Sequence, residues 1–209
     1  MTRPRANTRI QQKNTGTILD AALQVFSAQG FRGATLDQIA EVAGLSKPNL
    51  LYYFASKDAI YEALLKELLH IWLAPLAALD QNGDPTTEIL AYVRRKLQMS
   101  REFPRESRLF ANEILQGAPR IEAAIKGELK SLVDAKALVI RGWSAAGKIA
   151  DVHPHHLIFS IWALTQHYAD FDVQVRLVLG AEGADPFPEA ARHLDQMFTR
   201  LLAPPILPG

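Results

Sequence analysis

Cysteine is absent from this chain of 209 residues. Its absence excludes disulfide bonds and any zinc or iron–sulfur site with cysteine ligands, and it suits a reducing compartment. Long apolar runs are absent too: no stretch of about 18 uncharged apolar residues occurs, and no apolar segment follows the basic N-terminus. We therefore expect a soluble, cytoplasmic protein without a secretory signal and with no membrane partner.

Recognised catalytic motifs are also missing. The chain has no G-x-S-x-G, no P-loop, no H-E-x-x-H and no dinucleotide-binding fingerprint. Glu113, His167 and Asp170 are possible acids or bases, but they lack a recognisable catalytic spacing. The histidines at 153–156 have no cysteine nearby, so no metal site is expected. We predict that the protein is not an enzyme and needs no cofactor; the alternative is an enzyme acting on a small aromatic metabolite.

Charge is unevenly distributed along the chain, although the formal net charge is only +1. Residues 1–58 hold seven basic and four acidic residues, which gives +3, and the remaining residues carry −2. No acidic residue precedes Asp20, so residues 1–13 form a basic arm. This asymmetry is typical of an end that binds a polyanion such as nucleic acid, and the alternative is a solubilising tail.

The hydrophobic pattern predicts an all-α protein. Apolar residues recur at intervals of three and four, and no long alternating run of β-branched residues appears. Gly30 is expected to end the first helix, and Pro75 to kink the fourth or end it early. About nine helices are predicted, over 14–29, 35–43, 47–54, 57–79, 86–102, 105–116, 120–146, 155–171 and 188–202.

Residues 35–54 predict a helix-turn-helix. Thr35 and Gln38 form a capping-box pattern that starts the first helix, Gly44 permits a left-handed exit, and Ser46 caps the second helix. A tight turn of this kind holds the second helix at a steep angle, so that its N-terminal end enters the major groove of DNA. The alternative is a generic helical hairpin.

The residues predicted to contact DNA lie at the helix starts and on the exposed side of the second helix. Lys47 and Lys57 can neutralise phosphates, and Asn49 can reach a base edge. The hydroxyl groups of Tyr52 and Tyr53 can donate hydrogen bonds. The complete predicted set is Thr35, Ser46, Lys47, Pro48, Asn49, Tyr52, Tyr53 and Lys57.

The same segment resembles the DNA-binding domain of the TetR family, whose pattern is GxxxxTLxxIAxxAGxSxxxLxYYFxSKxxL. The matching residues are Gly30, Thr35, Leu36, Ile39, Ala40, Ala43, Gly44, Ser46, Leu50, Tyr52, Tyr53, Phe54, Ser56 and Lys57. Ile60 stands where the pattern has leucine. The resemblance runs from about residue 14 to 75, and it implies a homodimer that reads a palindromic operator in double-stranded DNA with one recognition helix per half-site.

Three segments are predicted on this basis. Residues 1–13 form the basic flexible arm, and residues 14–56 form a three-helix DNA-binding domain that contains the 35–54 motif. Residues 57–209 form a helical ligand-binding and dimerisation domain, which is the division that the resemblance implies.

Four stretches beyond the motif resemble pyrimidine-responsive members of the same family. They are LHIWLAPL at 69–76, SRLF at 107–110, GAP at 117–119 and HLIFSIWALTQHYADF at 156–171. The resemblance implies a repressor of pyrimidine-related genes that uracil or thymine releases from its operator. The alternative is a TetR-type regulator that senses a different small hydrophobic or aromatic effector.

A planar pyrimidine ring needs flat apolar walls and a few matched polar groups. One face of the predicted eighth helix carries Phe159, Trp162, Gln166 and Asp170, and Trp72 can supply a second wall from the fourth. The predicted ligand-binding residues are Trp72, Phe110, Glu113, Trp162, Gln166 and Asp170. The alternatives are that the tryptophans are ordinary core residues and that Gln166 forms a hydrogen bond at a dimer seam.

Overall fold

The computed structural model describes residues 9–180 and 185–204. Within these ranges the chain forms ten helices and no strand. Residues 1–8 of the predicted basic arm lie outside the described residues. The first six helices are α1 (Arg9–Gly33), α2 (Leu36–Val42), α3 (Lys47–Tyr53), α4 (Lys57–Ala77), α5 (Pro85–Glu102) and α6 (Pro104–Leu115).

The remaining four helices complete the C-terminal half. α7 is continuous through Glu122–Ala124, a π-helical segment Ile125–Leu129, and Lys130–Ala145. α8 (Pro154–Asp170), α9 (Asp172–Leu179) and α10 (Phe187–Leu202) follow it. The all-α prediction is therefore confirmed, and each of the nine predicted helices has a counterpart.

Two differences from the predicted helices have physical causes. α1 begins at Arg9 rather than at residue 14, so the last residues of the predicted arm are helical. α9 was not predicted, because none of its residues is buried and its apolar side chains therefore show no core-facing pattern. Phe171 alone separates α9 from α8, which left no turn signal in the sequence.

The N-terminal core is formed by α1 to α4. Ile18, Phe26, Ile39, Leu50 and Ile60 are each at most 2% exposed and belong to one apolar cluster. This cluster continues along α4 and includes residues of α5 and α6. α1 contacts α2 as well as α4 and α6, so movement of α4 or α6 can reach the helix-turn-helix through α1.

The second core lies in the C-terminal half, where α5 packs against both α8 and α10. Val93, Trp143, Ile158 and Phe198 are among its buried side chains. The indole N–H of Trp143 donates to the carbonyl of Gln81 at 3.1 Å, which satisfies its polar atom in the core. No described helix is both long and apolar enough to cross a membrane.

Candidate nucleic-acid interface and effector cavity

The helix-turn-helix is held by the local signals that the sequence predicted. The Thr35 hydroxyl accepts from the backbone N–H of Gln38, and the Gln38 amide oxygen accepts from the Thr35 N–H, so the capping box is confirmed. Gly44 has a φ of 66°, which an L side chain rarely adopts. The Ser46 hydroxyl accepts from the Asn49 N–H and starts α3. These caps set the angle between α2 and α3.

The N-terminal end of α3 presents polar groups to solvent. Ser46, Lys47, Pro48 and Asn49 are exposed, and Tyr52 is 73% exposed. On the opposite side of α3, the side chain at position 50 is fully buried. α3 therefore has one face fixed in the core and one face free for an external partner.

Lys47 is the most readily available cation of this surface. Its Nζ lies 2.9 Å from Asp37 Oδ2, and both side chains are exposed. Exposed ion pairs of this kind contribute little to stability, so a phosphate can replace the carboxylate. The basic character of the α3 surface therefore depends mainly on Lys47.

Tyr53 and Lys57 are engaged within the protein. The Tyr53 hydroxyl accepts a 2.6 Å hydrogen bond from the Asn14 side-chain amide and ties α3 to α1. Lys57 Nζ donates to the carbonyls of Phe31 and Ala34, both at 2.8 Å, and lies 4.6 Å from the centre of the Phe31 ring. Lys57 thus closes the C-terminal end of α1, a structural contact that sequence reasoning missed.

A cavity of about 610 Å³ lies between α4, α5, α6, α8 and the π-helical segment of α7. Five of the six residues that the sequence proposed for ligand binding line it: Trp72, Phe110, Trp162, Gln166 and Asp170. Eleven of its sixteen lining residues are apolar, and the volume is typical of small-molecule sites. The structure therefore gathers residues from distant parts of the chain around one cavity that is partly open to solvent.

Glu113 is the exception, because it does not line the cavity. Its side chain is 1% exposed, and its carboxylate accepts from the backbone N–H of Arg120 at 2.9 Å and from the Arg120 guanidinium at 3.5 Å. Glu113 was proposed because it follows the SRLF stretch that carries the resemblance, and its side chain lies outside the cavity lining. The expected position of Glu113 beside the ligand is thus corrected to a buried pair with Arg120.

The two tryptophans of the cavity differ in their hydrogen bonding. Trp162 Nε1 donates to the Tyr92 hydroxyl at 2.6 Å, which holds the indole in place, and burial raises the pKa of Tyr92. Trp72 Nε1 is buried and has no acceptor among the described residues. An unpaired buried N–H costs about 1–3 kcal/mol. Trp72 therefore has an unmet hydrogen-bonding capacity beside the cavity.

The polar end of the cavity is organised around Asp170. The Ser107 hydroxyl donates to Asp170 Oδ1 at 2.6 Å, and burial raises the pKa of the Asp170 carboxyl. Arg108, which also lines the cavity, donates to the carbonyl of Ala169 at 3.0 Å. An acidic and a basic side chain thus meet where α6 crosses the end of α8.

Lys96 and Arg108 are cavity residues that sequence reasoning missed. Lys96 lies on α5 and is only 2% exposed. One signal could have indicated it, because Lys96 follows the buried Ile89 and Val93 at helical spacing and thus occupies the apolar stripe of α5. A lysine in such a stripe is rarely a simple core residue.

The histidine cluster consists of His153, His155 and His156, and one of its members contacts a carboxylate. His155 Nε2 lies 2.9 Å from Asp134 Oδ1, and the His153 and His156 rings pack with their centres 4.6 Å apart. Among the described residues, no group of three or more His, Asp or Glu side chains is arranged to hold a metal ion.

Comparison with known protein families identifies the class of this helical protein. The family model "Bacterial regulatory proteins, tetR family" matches residues 18–64, and "YcdC-like protein, C-terminal region" matches residues 65–205. The chain belongs to the TetR family, and it is a DNA-binding transcriptional regulator rather than an enzyme.

Individual relatives agree with this assignment. The chain is 55% identical to the HTH-type transcriptional regulator RutR of Escherichia coli O157:H7 over 164 residues. The matched stretch covers 78% of this chain and 77% of that protein. Among solved structures, a tetR-family regulatory protein from Rhodococcus RHA1 superposes with a TM-score of 0.73 at 20% identity, covering 93% of this chain and 99% of that one. AibR in complex with isovaleryl coenzyme A and operator DNA gives 0.67 at 18% identity, covering 91% and 99%. The two structural likenesses show the shared fold.

The two lysines near α3 are expected to respond differently to replacement by methionine. Lys57→Met removes the hydrogen bonds to the carbonyls of Phe31 in α1 and Ala34 just after it, so it should lower the free energy of unfolding by about 1–2 kcal/mol in urea titrations. Lys47→Met should change stability by less than about 0.5 kcal/mol. It should instead reduce the slope of log affinity for duplex DNA against log salt by about one. A loss of stability in Lys47→Met matching that in Lys57→Met would contradict this division.

Proposed function

We propose that this regulator is a homodimeric repressor of pyrimidine-related genes, acts in the cytoplasm, and leaves its palindromic operator when uracil or thymine occupies the cavity. The observation that carries the proposal is the meeting of Trp72, Phe110, Trp162, Gln166 and Asp170 around one cavity. The resemblance of the surrounding stretches to pyrimidine-responsive family members supports it as well.

On the DNA side, α3 acts as the recognition helix. Lys47 pairs with a phosphate, the exposed Asn49 reads a base edge, and the exposed Tyr52 donates a hydrogen bond. The starts of α2 and α3 face the DNA backbone and carry Thr35, Ser46 and Pro48. Tyr53 and Lys57, which the protein itself engages, contribute mainly by holding α3 and α4 against α1.

On the effector side, the indoles of Trp72 and Trp162 provide flat apolar surface from two helices. The Gln166 amide offers one acceptor and two donors, which matches adjacent N–H and C=O groups of a pyrimidine. The Asp170 carboxylate can accept from a second ring N–H. The cavity thus combines stacking surface with a polar end, as a small polar ring requires.

The dimer forms through the outer face of α8. This face leaves Phe159 47% and Leu164 36% exposed, with Ala163 and His167 exposed beside them. Apolar side chains that repeat along one outer helix face are typical of a protein interface, and a second copy can cover them by two-fold symmetry. The pairing sets the distance between the two recognition helices, and with it the spacing of the half-sites.

Effector release follows from the course of α4. This helix starts at Lys57, directly after α3, and carries Trp72 at the cavity. A ligand opposes DNA binding only through its higher affinity for the dimer shape in which the recognition helices do not fit successive grooves. Trp72 is the contact through which the cavity biases that equilibrium.

The experiment that tests the proposal is a thermal titration of the purified protein with uracil, thymine, cytosine, uridine and an apolar compound. At about 100 times its Kd, a ligand of the native state stabilises by about 2.7 kcal/mol. For a chain of this size, that raises the Tm by about 5–11 °C. We expect the rise with uracil or thymine, and Gln166→Ala should abolish it.

Two outcomes would overturn the effector assignment. A Tm rise with the apolar compound alone would indicate a different effector. No rise with any of the bases would exclude a pyrimidine as the effector. The operator readout uses a palindromic duplex selected from a random library by the protein itself. Uracil should release this duplex from the parent protein and leave it bound to Gln166→Ala.

A further inference from the structure

A buried lysine, Lys96, lines the cavity beside Trp72. Lys96 is 2% exposed, and its Nζ lies 4.6 Å from the centre of the Trp72 ring. Among the described residues, this ammonium group forms no ion pair within 4.0 Å and no hydrogen bond, and the Asp170 carboxylate acts on it only from a longer distance. The contact with the indole face compensates only part of the cost of removing the charge from water.

An unpaired buried cation is unfavourable for folding, and an apolar residue of similar size would pack there at lower cost. Lysine is almost never fully buried unless it is paired. The free energy lost at Lys96 is recovered when a ligand supplies an acceptor. The cavity itself contains the place for that ligand, since Lys96, Trp72, Gln166 and Asp170 all line it.

The charged groups around Lys96 define what the ligand must present. Arg108 on α6 adds a second cation, and Asp170 on α8 is the lining carboxylate, already held by the Ser107 hydroxyl. His167 on α8 interacts electrostatically with Asp170. A lysine ammonium has three donors and no acceptor, and a guanidinium has five donors and no acceptor. The lining is thus rich in donors, so a complementary ligand carries several oxygen acceptors.

We propose that Lys96 is the residue that selects the effector by its ring oxygens, because its ammonium group donates a hydrogen bond to a ring carbonyl. This inference rests on the proposed function and narrows the ligand to dioxo heterocycles in which an imide N–H lies between two carbonyls. A ring with an amino group in place of that carbonyl places a donor against the ammonium. Binding of such a ring leaves the Lys96 ammonium group without an acceptor. A buried group left unpaired in this way gives strong discrimination between analogues.

The proposal has a signature in the pH dependence of binding. Burial lowers the pKa of Lys96 to about 8, and Asp170 acts in the opposite direction. A ligand oxygen on the ammonium group favours the charged form, so the pKa rises on binding and the complex takes up a proton near pH 8. Affinity for the dioxo ring should therefore be constant below pH 8 and fall above it.

The test is calorimetric titration of the parent protein, Lys96→Met and Lys96→Arg with uracil and with cytosine, whose amino group replaces one carbonyl oxygen. Lys96→Met should weaken uracil binding by about 10- to 100-fold and reduce the preference for uracil over cytosine. It should also remove the decline of uracil affinity above pH 8. Lys96→Arg keeps the charge and should retain part of the preference. Lys130→Met, at an exposed lysine of α7, is the matched control and should bind like the parent protein.

The outcomes separate this inference from the proposed function. If the parent protein binds uracil and Lys96→Met binds it with the same affinity, selectivity and pH profile, the role of Lys96 is overturned while the pyrimidine assignment stands. If the parent protein binds neither base, the proposed function fails first, and this inference fails with it. Thermal melting of each variant tests whether the variant is folded, so that a loss of binding is not mistaken for a loss of folding. If Lys96→Met is unfolded, Lys96→Gln replaces it.

Discussion

Replacing Arg120 by alanine is expected to lower the free energy of unfolding by about 3 kcal/mol, because the buried Glu113 carboxylate then loses its positively charged partner. The guanidinium pairs with Glu113, which is 1% exposed, and with Asp58 at 3.1 Å. It also stacks 3.7 Å from the centre of the Phe31 ring. For a chain of this length, the expected fall in Tm is about 6–12 °C, measured by calorimetry.

A second substitution distinguishes the buried charge from the packing. In Arg120→Ala, the Glu113 carboxylate keeps the backbone N–H of residue 120 but loses the positive charge. Glu113→Gln in the same background removes the uncompensated charge, so the double variant should be more stable than Arg120→Ala. Arg192→Ala removes an exposed pair with Glu189 and serves as the control, with a change below about 0.5 kcal/mol. Equal effects of Arg120→Ala and Arg192→Ala would contradict the structural role of Arg120.

Replacing Ala163 by arginine is expected to produce a monomer that binds the selected operator at least about 100-fold more weakly. Ala163 lies at the centre of the exposed α8 face, between Phe159 and His167. An arginine there would bury an unpaired charge in the proposed seam. Two linked DNA-binding domains bind about 10²–10⁴-fold more tightly than one, and a monomer loses this gain in affinity.

The control for this substitution is Ala91→Arg. Ala91 is exposed on α5 beside the exposed Arg94 and Arg95, so an added arginine there stays in solvent. Sedimentation gives the mass of each variant, and fluorescence anisotropy gives its operator affinity. If the Ala163→Arg protein remains dimeric, the dimer interface does not lie on this face of α8. A monomer with full operator affinity would contradict binding to two half-sites as one unit.

The sequence alone determined the helices of this protein and its family. The caps at Thr35 and Ser46 and the left-handed Gly44 are local signals, because each depends on residues within one helical turn. The apolar periodicity located nine of the ten described helices, and it failed only for α9, which has no buried face. The same periodicity put Phe159, Trp162, Gln166 and Asp170 on one face. The structure turns the last three toward a cavity and leaves Phe159 47% exposed outside it.

Only the tertiary structure decided what each long polar side chain contacts. Lys57 reaches carbonyls at the end of α1, 23 and 26 residues away, and Arg120 reaches Asp58 across 62 residues. Lys96 lines the cavity because α4 and α8 both pack on α5 and contribute to the same cavity. Helical spacing specifies the face on which a side chain lies, but the partner opposite that face comes from helices whose relative positions depend on packing of the whole core. For this reason the helix-turn-helix and the cavity-lining residues of α8 were predictable, whereas the pairing of Glu113 and the buried charge of Lys96 were not.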